Sequence, residues 1–229
     1  MDLITTKLAY FMFHFVILLS LSLGKLLYKK MKLPSLLQLL KILPIIIFFI
    51  IWDAVATGYW WDFNYQYTFF KWRIFGLPIE EILFFFTVPL GLITFTENLF
   101  PIIKNTNISL DWSDIVALIV SLKLFLIIIF ITSLFSSWFY SAFVCFLLIH
   151  FIKKSVLINK VFLAGIIFTI CTTLIFNYYL TYLPIVTYNN IFKSNIHVGT
   201  IPIEDFGYGL LMYLMIIKTL YGQDKLKIS

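Results

Sequence analysis

The feature that most constrains this chain is a series of apolar runs of the length that crosses a lipid bilayer. A transmembrane helix needs about 20 largely apolar residues. Hydrophobic residues make up 62% of the 229-residue chain, which leaves too little polar surface to cover a water-soluble core. The pattern predicts an all-α, polytopic membrane protein of about seven transmembrane helices, at residues 8–23, 36–56, 78–96, 115–134, 138–152, 161–180 and 201–220.

The fourth and fifth predicted helices form the segment with an open alternative. Only Phe135-Ser136-Ser137 separates them, and Lys123 lies inside the fourth. A re-entrant hairpin would fit these residues as well as two membrane crossings.

Basic residues are distributed unevenly between the loops. If successive loops alternate across the membrane, all but four of the loop lysines and arginines fall on one side. Because short basic loops stay in the cytoplasm, we expect the N-terminus outside and the C-terminus in the cytoplasm, in a multi-pass protein of a bacterial inner membrane. The positive cluster follows the first apolar run, so we expect this helix to be retained. The basic residues that give the net charge of +6 lie beside helix ends, where they attract membrane lipids. No nucleic-acid partner is expected.

No cofactor is apparent from the motifs. Cys145 and Cys171 lie within predicted helices and have no metal-ligand spacing, and the glycines form neither a dinucleotide-binding motif nor a P-loop. A carboxylate cluster can hold a metal in principle, but no His-rich or Asp-rich spacing favours metal binding over proton chemistry. We therefore predict no metal site.

Two short acidic motifs interrupt the apolar pattern, Pro-Ile-Glu-Glu at 78–81 and Pro-Ile-Glu-Asp at 202–205. An ionised carboxylate at the centre of a bilayer costs about 3 kcal/mol, so an acid pair that occurs in both halves of the chain indicates one composite site. Proline is favoured at the first position of a helix, which places the acids in the first turn of the third and seventh helices.

The four acids are Glu80, Glu81, Glu204 and Asp205, and they are the predicted catalytic residues. Neighbouring helical residues point about 100° apart, so one acid of each pair can face the bundle. We favour Glu80 and Glu204, because these two positions are identical in type. A helix N-terminus favours the anion, whereas burial and a second carboxylate favour the neutral acid, and the sequence leaves this balance open.

The two motifs are 124 positions apart, and the same offset brings Trp52-Asp53 onto Phe176-Asn177. With one-residue slips, Gly76 matches Gly199 and Phe63-Asn64 matches Tyr188-Asn189. These matches predict an internal duplication, with a first repeat at 1–104, a linker with the fourth helix at 105–136, and a second repeat at 137–229. A single linker helix makes the two repeats parallel, and both acidic motifs then lie at the outer face.

Aromatic and amide side chains surround the predicted acids. Trp60 and Trp61 belong to an aromatic outer loop, and ring faces would stabilise a carbocation, although an aromatic belt at the membrane interface is the alternative for any single ring. Asp53 and Asn177 lie at a depth similar to that of the acids and are expected to orient them or to accept their protons. The remaining members of the predicted substrate-binding set occupy matching loop positions: Asn64, Tyr188 and Asn189.

With Pro-Ile-Glu-Glu-Ile-Leu-Phe-Phe at 78–85, Pro-Ile-Glu-Asp-Phe at 202–206, and Leu183-Pro184 followed by Tyr188-Asn189, the chain resembles the heterodimeric-type lycopene cyclases of bacteria, archaea and fungi. The family motif is Pro-x-Glu-(Glu/Asp). Its two small membrane subunits occur separately or fused, and here each half resembles one subunit. The resemblance covers nearly the whole chain and is weakest at 97–150.

Resemblance to this family implies a lycopene β-cyclase, an intramolecular lyase or isomerase of carotenoid biosynthesis. An acid protonates a terminal double bond of lycopene, the neighbouring alkene captures the tertiary cation, and loss of a proton leaves a β-ionone ring without net redox change. A linear carotenoid is comparable in length with the hydrocarbon core of about 30 Å, so one end would lie near the outer face. Ring type, the number of ends cyclised and the donor acid stay open.

Other functions fit part of the same pattern. A proton-coupled transporter also has duplicated helices and intramembrane acids, although its helices are usually interrupted near the midplane. An inert scaffold for other pathway enzymes is a third class. Within carotenoid chemistry, a C50 carotenoid cyclase or a hydratase would use the same cation. The expected partners are a lipophilic carotenoid and membrane lipids, with a homo-oligomer or contact with other carotenoid enzymes as further possibilities.

Overall fold

The computed structural model describes residues 7–70, 72–103, 160–191 and 196–221, and this part of the chain is mostly helical. The predicted fourth and fifth helices, and the predicted linker at 105–136, lie outside the described residues. The all-α prediction is confirmed at this level, while the count of seven and the repeat arrangement stay predictions. The helices are α1 (Ala9–Leu27), α2 (Leu36–Ala56), α3 (Ile79–Ile103), α4 (Lys160–Tyr182) and α5 (Ile203–Tyr221).

Four of these helices, α1 to α4, are long and apolar enough to cross a membrane. The fifth helix, α5, carries three charged residues over a similar length and is buried along most of its length, with Lys218 and Thr219 exposed near its C-terminal end. It packs against α2, α3 and α4, which explains how a helix with an acid pair can lie inside the bundle. Leu210, Leu211 and Met212 of α5 join Phe49 and Phe85 in the main hydrophobic core.

The second helix illustrates how local sequence sets an element. Ser35 accepts a hydrogen bond from the Gln38 backbone N–H, and the Gln38 side chain accepts one from the Ser35 N–H, which together form a capping box. The apolar run that follows ends at Ala56, where Thr57 adopts an extended conformation. The last turn of α2 therefore brings Asp53 to the same end of the bundle as the acidic motifs.

Short strands, which the sequence pattern did not predict, connect the helices at this end. Strands β2 (Arg73–Ile74) and β3 (Leu77–Pro78) form one hairpin, and β5 (His197–Val198) and β6 (Ile201–Pro202) form another. Gly76 and Gly199 occupy the two turns with φ of 83° and 65°, a region that favours glycine. Pro78 and Pro202 end the second strand of each hairpin, and the helices begin one residue later.

A third strand pair joins the loop that precedes α3 to the loop that precedes α5. Strands β1 (Trp61–Phe63) and β4 (Val186–Tyr188) are antiparallel, with Trp61 opposite Tyr188 and Phe63 opposite Val186. A second hydrophobic cluster lies beneath this pair and includes Tyr10, Trp61 and Leu180. The pair thus holds the loop before α3 and the loop before α5 over the same end of the bundle.

Candidate active site

Three carboxyl side chains from three helices line one small cavity. Asp53 belongs to the last turn of α2, Glu81 to the first turn of α3 and Asp205 to the first turn of α5. The cavity measures about 60 Å³. The three residues are 3%, 6% and 4% exposed, so each carboxyl has lost nearly all its contact with solvent. Burial of this kind is costly unless the groups are paired or protonated, and it is common at functional sites.

The Glu81 carboxyl is held by a tyrosine from the first helix. The hydroxyl of Tyr10 in α1 donates a hydrogen bond to Glu81 Oε2. Tyr10 is fully buried and stacks on Phe63 of β1 and on His14. Tyr10 was not among the site residues predicted from the sequence. The available signal was that it is the sole tyrosine of the first apolar run and lies at the N-terminal end of that run.

Two donors converge on the Asp205 carboxyl. The hydroxyl of Tyr188 in β4 lies 2.8 Å from Oδ2 and 3.0 Å from Oδ1, and the Asn177 side-chain amide of α4 donates to Oδ2 at 3.0 Å. Burial raises the pKa of Tyr188, and the nearby Asp205 charge raises it further, so this hydroxyl is a donor over the whole physiological range. Donors of this kind favour the ionised form of a carboxyl group.

Asp53 completes the cavity in a different way. Within the described residues, its buried Oδ2 atom has no hydrogen-bond partner. A buried carboxyl oxygen without a partner calls for an explanation, such as a proton or a bound molecule. Its neighbours on the cavity wall are largely aromatic and apolar, with Trp61, Phe84 and Tyr208 among them.

The two acids that the sequence analysis favoured lie outside the cavity lining. Glu80 is fully buried, and its Oε1 accepts hydrogen bonds from the backbone N–H groups of Phe69 at 2.7 Å and Phe70 at 3.0 Å. Glu204 is 1% exposed and likewise does not line the cavity. The preference for Glu80 and Glu204 stays a prediction, whereas the geometry favours Glu81 and Asp205 as the members of each pair that face a common space.

The remaining predicted substrate-binding residues separate into two groups. Trp61 is buried and lines the cavity with Tyr188 and Asn177. Asn64 accepts a hydrogen bond from the Gln66 N–H in a short 3-10 turn, and Asn189 donates to the Tyr59 carbonyl at 3.1 Å. Trp60 packs against Trp61 without reaching the cavity. The structure thus places Trp60, Asn64 and Asn189 in the loops that cover the site.

The long apolar helices and the buried carboxyl cavity together define a helical membrane protein with an acidic site enclosed near one end of its bundle. The lycopene cyclase family model matches the chain at residues 4–99 and 136–221, and these two stretches include both acidic motifs. The chain belongs to the lycopene cyclase family. Comparisons with curated proteins and with solved structures give no significant match. Membership of this family supports a cyclase-type function on lycopene in carotenoid biosynthesis.

Proposed function

We propose that this protein is a lycopene β-cyclase that forms β-ionone rings from the ψ ends of lycopene by acid-catalysed, non-redox cyclisation in the membrane. One observation carries the proposal: Glu81 and Asp205, one from each acidic motif, line the same buried cavity. Paired carboxyls in an apolar setting can hold one acid and one base at the same time, which is what the reaction requires.

Glu81 is the proposed acid. Its proton adds to a carbon of the terminal double bond of lycopene, which leaves a tertiary cation on the neighbouring carbon. The electron pair of the next alkene in reach then forms the ring bond and moves the cation into the ring. Asp205 is the proposed base, because two donors favour its ionised form whereas one donor reaches Glu81. One proton enters and one leaves, so substrate and product are isomers.

Neighbouring side chains have positioning and protective roles in this proposal. Tyr10 orients Glu81, and Tyr188 and Asn177 orient Asp205. The aromatic side chains of Trp61 and Phe84 line the cavity, where they would stabilise the cation and exclude water that would otherwise trap it. No redox or nucleotide cofactor is required by a proton-driven isomerisation.

The predicted duplication and membrane topology belong to the same proposal. We take the chain to be a fused form of the two-subunit cyclases, with parallel repeats at 1–104 and 137–229 joined by a linker at 105–136. It would be a multi-pass protein of a bacterial inner membrane, with the N-terminus outside. A C50 carotenoid cyclase or a hydratase would share the first proton transfer, and the product distinguishes them.

Expression in cells that accumulate lycopene tests the proposal directly. The expected result is conversion of lycopene into monocyclic or bicyclic β-carotenoids without an added protein partner, identified by chromatography and mass. A hydrated product would instead indicate water capture of the cation. Unchanged lycopene, when the protein is inserted in the membrane at a measured level, would contradict the cyclase assignment.

A further inference from the structure

A long apolar groove lies among α1, α3 and α4, next to the carboxyl cavity. It has a volume of about 1050 Å³, whereas the carboxyl cavity has about 60 Å³. Ligand sites typically measure about 300–1,000 Å³, so the cavity can take only the end of a large molecule. The rest of a long substrate needs another place to bind. The groove offers that volume within the described part of the chain.

The groove and the cavity follow one face of α3. Glu81 and Phe84 line the cavity, and Val88, Phe95 and Ile102 line the groove. Their spacings of three, four and seven residues place them in one row along a helix. From Glu81 to Ile102 the helix rises about 30 Å, at 1.5 Å per residue. This length is close to that of the hydrocarbon core, to which a linear carotenoid is comparable.

The two other helices repeat this arrangement. On α4, Phe168, Thr172 and Phe176 line the groove at four-residue intervals, and Leu180 continues the same row into the cavity. On α1, Tyr10 lines the cavity, and the groove begins about two turns further along the helix. Each of the three helices thus has one side that runs from the carboxyl groups into the groove.

Three phenylalanines, one from each helix, form the wall between the two spaces. The ring centroid of Phe13 in α1 lies 5.6 Å from that of Phe84 in α3 and 5.1 Å from that of Phe176 in α4. Phe84 borders the cavity and Phe176 borders the groove. The three rings therefore lie at the boundary between the groove and the cavity.

The loop after α1 lines the far end of the groove and is hydrogen-bonded to α3. The Asn98 side chain of α3 accepts a hydrogen bond from the Lys32 N–H and donates one to the Lys32 carbonyl, both at 2.8 Å. Tyr28 and Met31 of the same loop line this end. The groove is therefore bordered by this loop at one end and by the three phenylalanine rings, on the side of the acids, at the other.

We propose that the groove binds the linear polyene chain of the carotenoid substrate, while one ψ end passes the three-phenylalanine layer to reach Glu81 and Asp205. This inference rests on the proposed function. A rigid, apolar polyene chain fits a largely apolar groove whose lining follows three helices. Phe95 and Phe168, whose stacked ring centroids lie 3.9 Å apart, add aromatic contacts on the groove wall. A phospholipid acyl chain is the competing occupant.

Gly91 allows the groove to be filled without disturbing its walls. It lines the groove, and a Cβ atom added there would meet no other atom within 4 Å. Gly91→Phe places a ring in the space that the polyene would occupy. Ser20→Phe, on exposed groove-lining Ser20 of α1, fills the same space from another helix, so a folding defect in one variant does not decide the result. Ile47→Phe, at an exposed position of α2, is the matched control.

Two readouts are compared at equal amounts of membrane-inserted protein. In lycopene-accumulating cells, we expect Gly91→Phe and Ser20→Phe to reduce the rate of cyclic product formation by about tenfold or more. Ile47→Phe should match the unsubstituted protein. Lycopene that co-purifies with the inactive Glu81→Gln protein is the second readout. We expect this bound pigment to fall about tenfold when Gly91→Phe or Ser20→Phe is added.

The outcomes separate the two proposals. If the unsubstituted protein leaves lycopene unchanged, the proposed function fails. If it cyclises lycopene and both groove variants keep normal turnover and pigment, the groove inference alone is overturned. The groove inference is also overturned if filling the groove displaces co-purified phospholipid and leaves the bound pigment in place.

Discussion

The hydroxyl of Tyr10 donates a hydrogen bond to the carboxyl of Glu81, although the two residues are 71 positions apart. Tyr10 is in the first turn of α1, and Glu81 is in the first turn of α3. Both side chains are buried at one end of the bundle. This contact links the first helix to one acidic motif, as the contact between Tyr188 and Asp205 links β4 to the other.

Removal of the Tyr10 hydroxyl should slow catalysis without unfolding the protein. Tyr10→Phe keeps the ring and its stacking but deletes the donor to Glu81, and one hydrogen bond to a carboxyl contributes about 1.5 kcal/mol. We expect a loss of about tenfold in the rate of lycopene cyclisation, measured in isolated membranes. Tyr178→Phe is the control, because this tyrosine is exposed and stacks on Tyr182. Equal rates in both variants would remove the positioning role of Tyr10.

The two acids of each motif should respond differently to amide substitution. Glu81→Gln and Asp205→Asn keep the shape of the side chain but cannot transfer the proton, so we expect cyclisation to fall below detection. Glu80→Gln should retain measurable turnover, because an amide oxygen can still accept from the Phe69 and Phe70 N–H groups. Glu204→Gln should also retain it. Product formation per inserted protein is the measurement, and the reverse pattern would restore the preference for Glu80 and Glu204.

Tyr188 and Asn177 should act as a coupled pair on Asp205. Each donates to the same carboxyl, so Tyr188→Phe and Asn177→Leu should each reduce the rate about tenfold. The double variant should lose less than the product of the two single effects, since residues that share a partner are not additive. A double-variant cycle on the cyclisation rate gives the coupling. Strict additivity would show that the two donors do not act through Asp205.

The hairpin before α3 should depend on its turn glycine. Gly76 has a φ of 83°, which a β-branched residue adopts only with strain of about 1–2 kcal/mol. Gly76→Val should therefore lower the midpoint of thermal unfolding in detergent, whereas Gly76→Asn should lower it less because asparagine tolerates this region. An equal shift for the two variants would indicate that backbone conformation is not the cause.

The helical part of this fold was predictable because its signal is local. The apolar run at 36–56 coincides with α2, and the prolines at 78 and 202 lie one residue before α3 and α5. The three-residue strands β1 and β4 gave no such signal, since a few residues carry no usable periodicity. Their pairing depends on contact between loops 125 positions apart and is visible only in the folded chain.

The candidate site was predictable in composition more than in orientation. The motif itself identified four acids, but the rotation of each helix about its axis decides which acid faces inward. Packing of α3 and α5 against their neighbours sets that rotation, and it brings Glu81 and Asp205 to the cavity. Tyr10 was missed for a different reason. A lone tyrosine at the end of an apolar run is equally typical of a residue at the membrane interface.

The β1 and β4 pair has a further consequence for the proposed reaction. Residues of both strands form part of the wall around the three carboxyl groups, which are almost completely shielded from the aqueous phase. In the proposed reaction each turnover leaves a proton on Asp205, and Glu81 must be reprotonated before the next substrate reacts. Asp53, the third carboxyl, lines the same cavity as both acids, which makes it the candidate carrier of this proton in the proposed reaction.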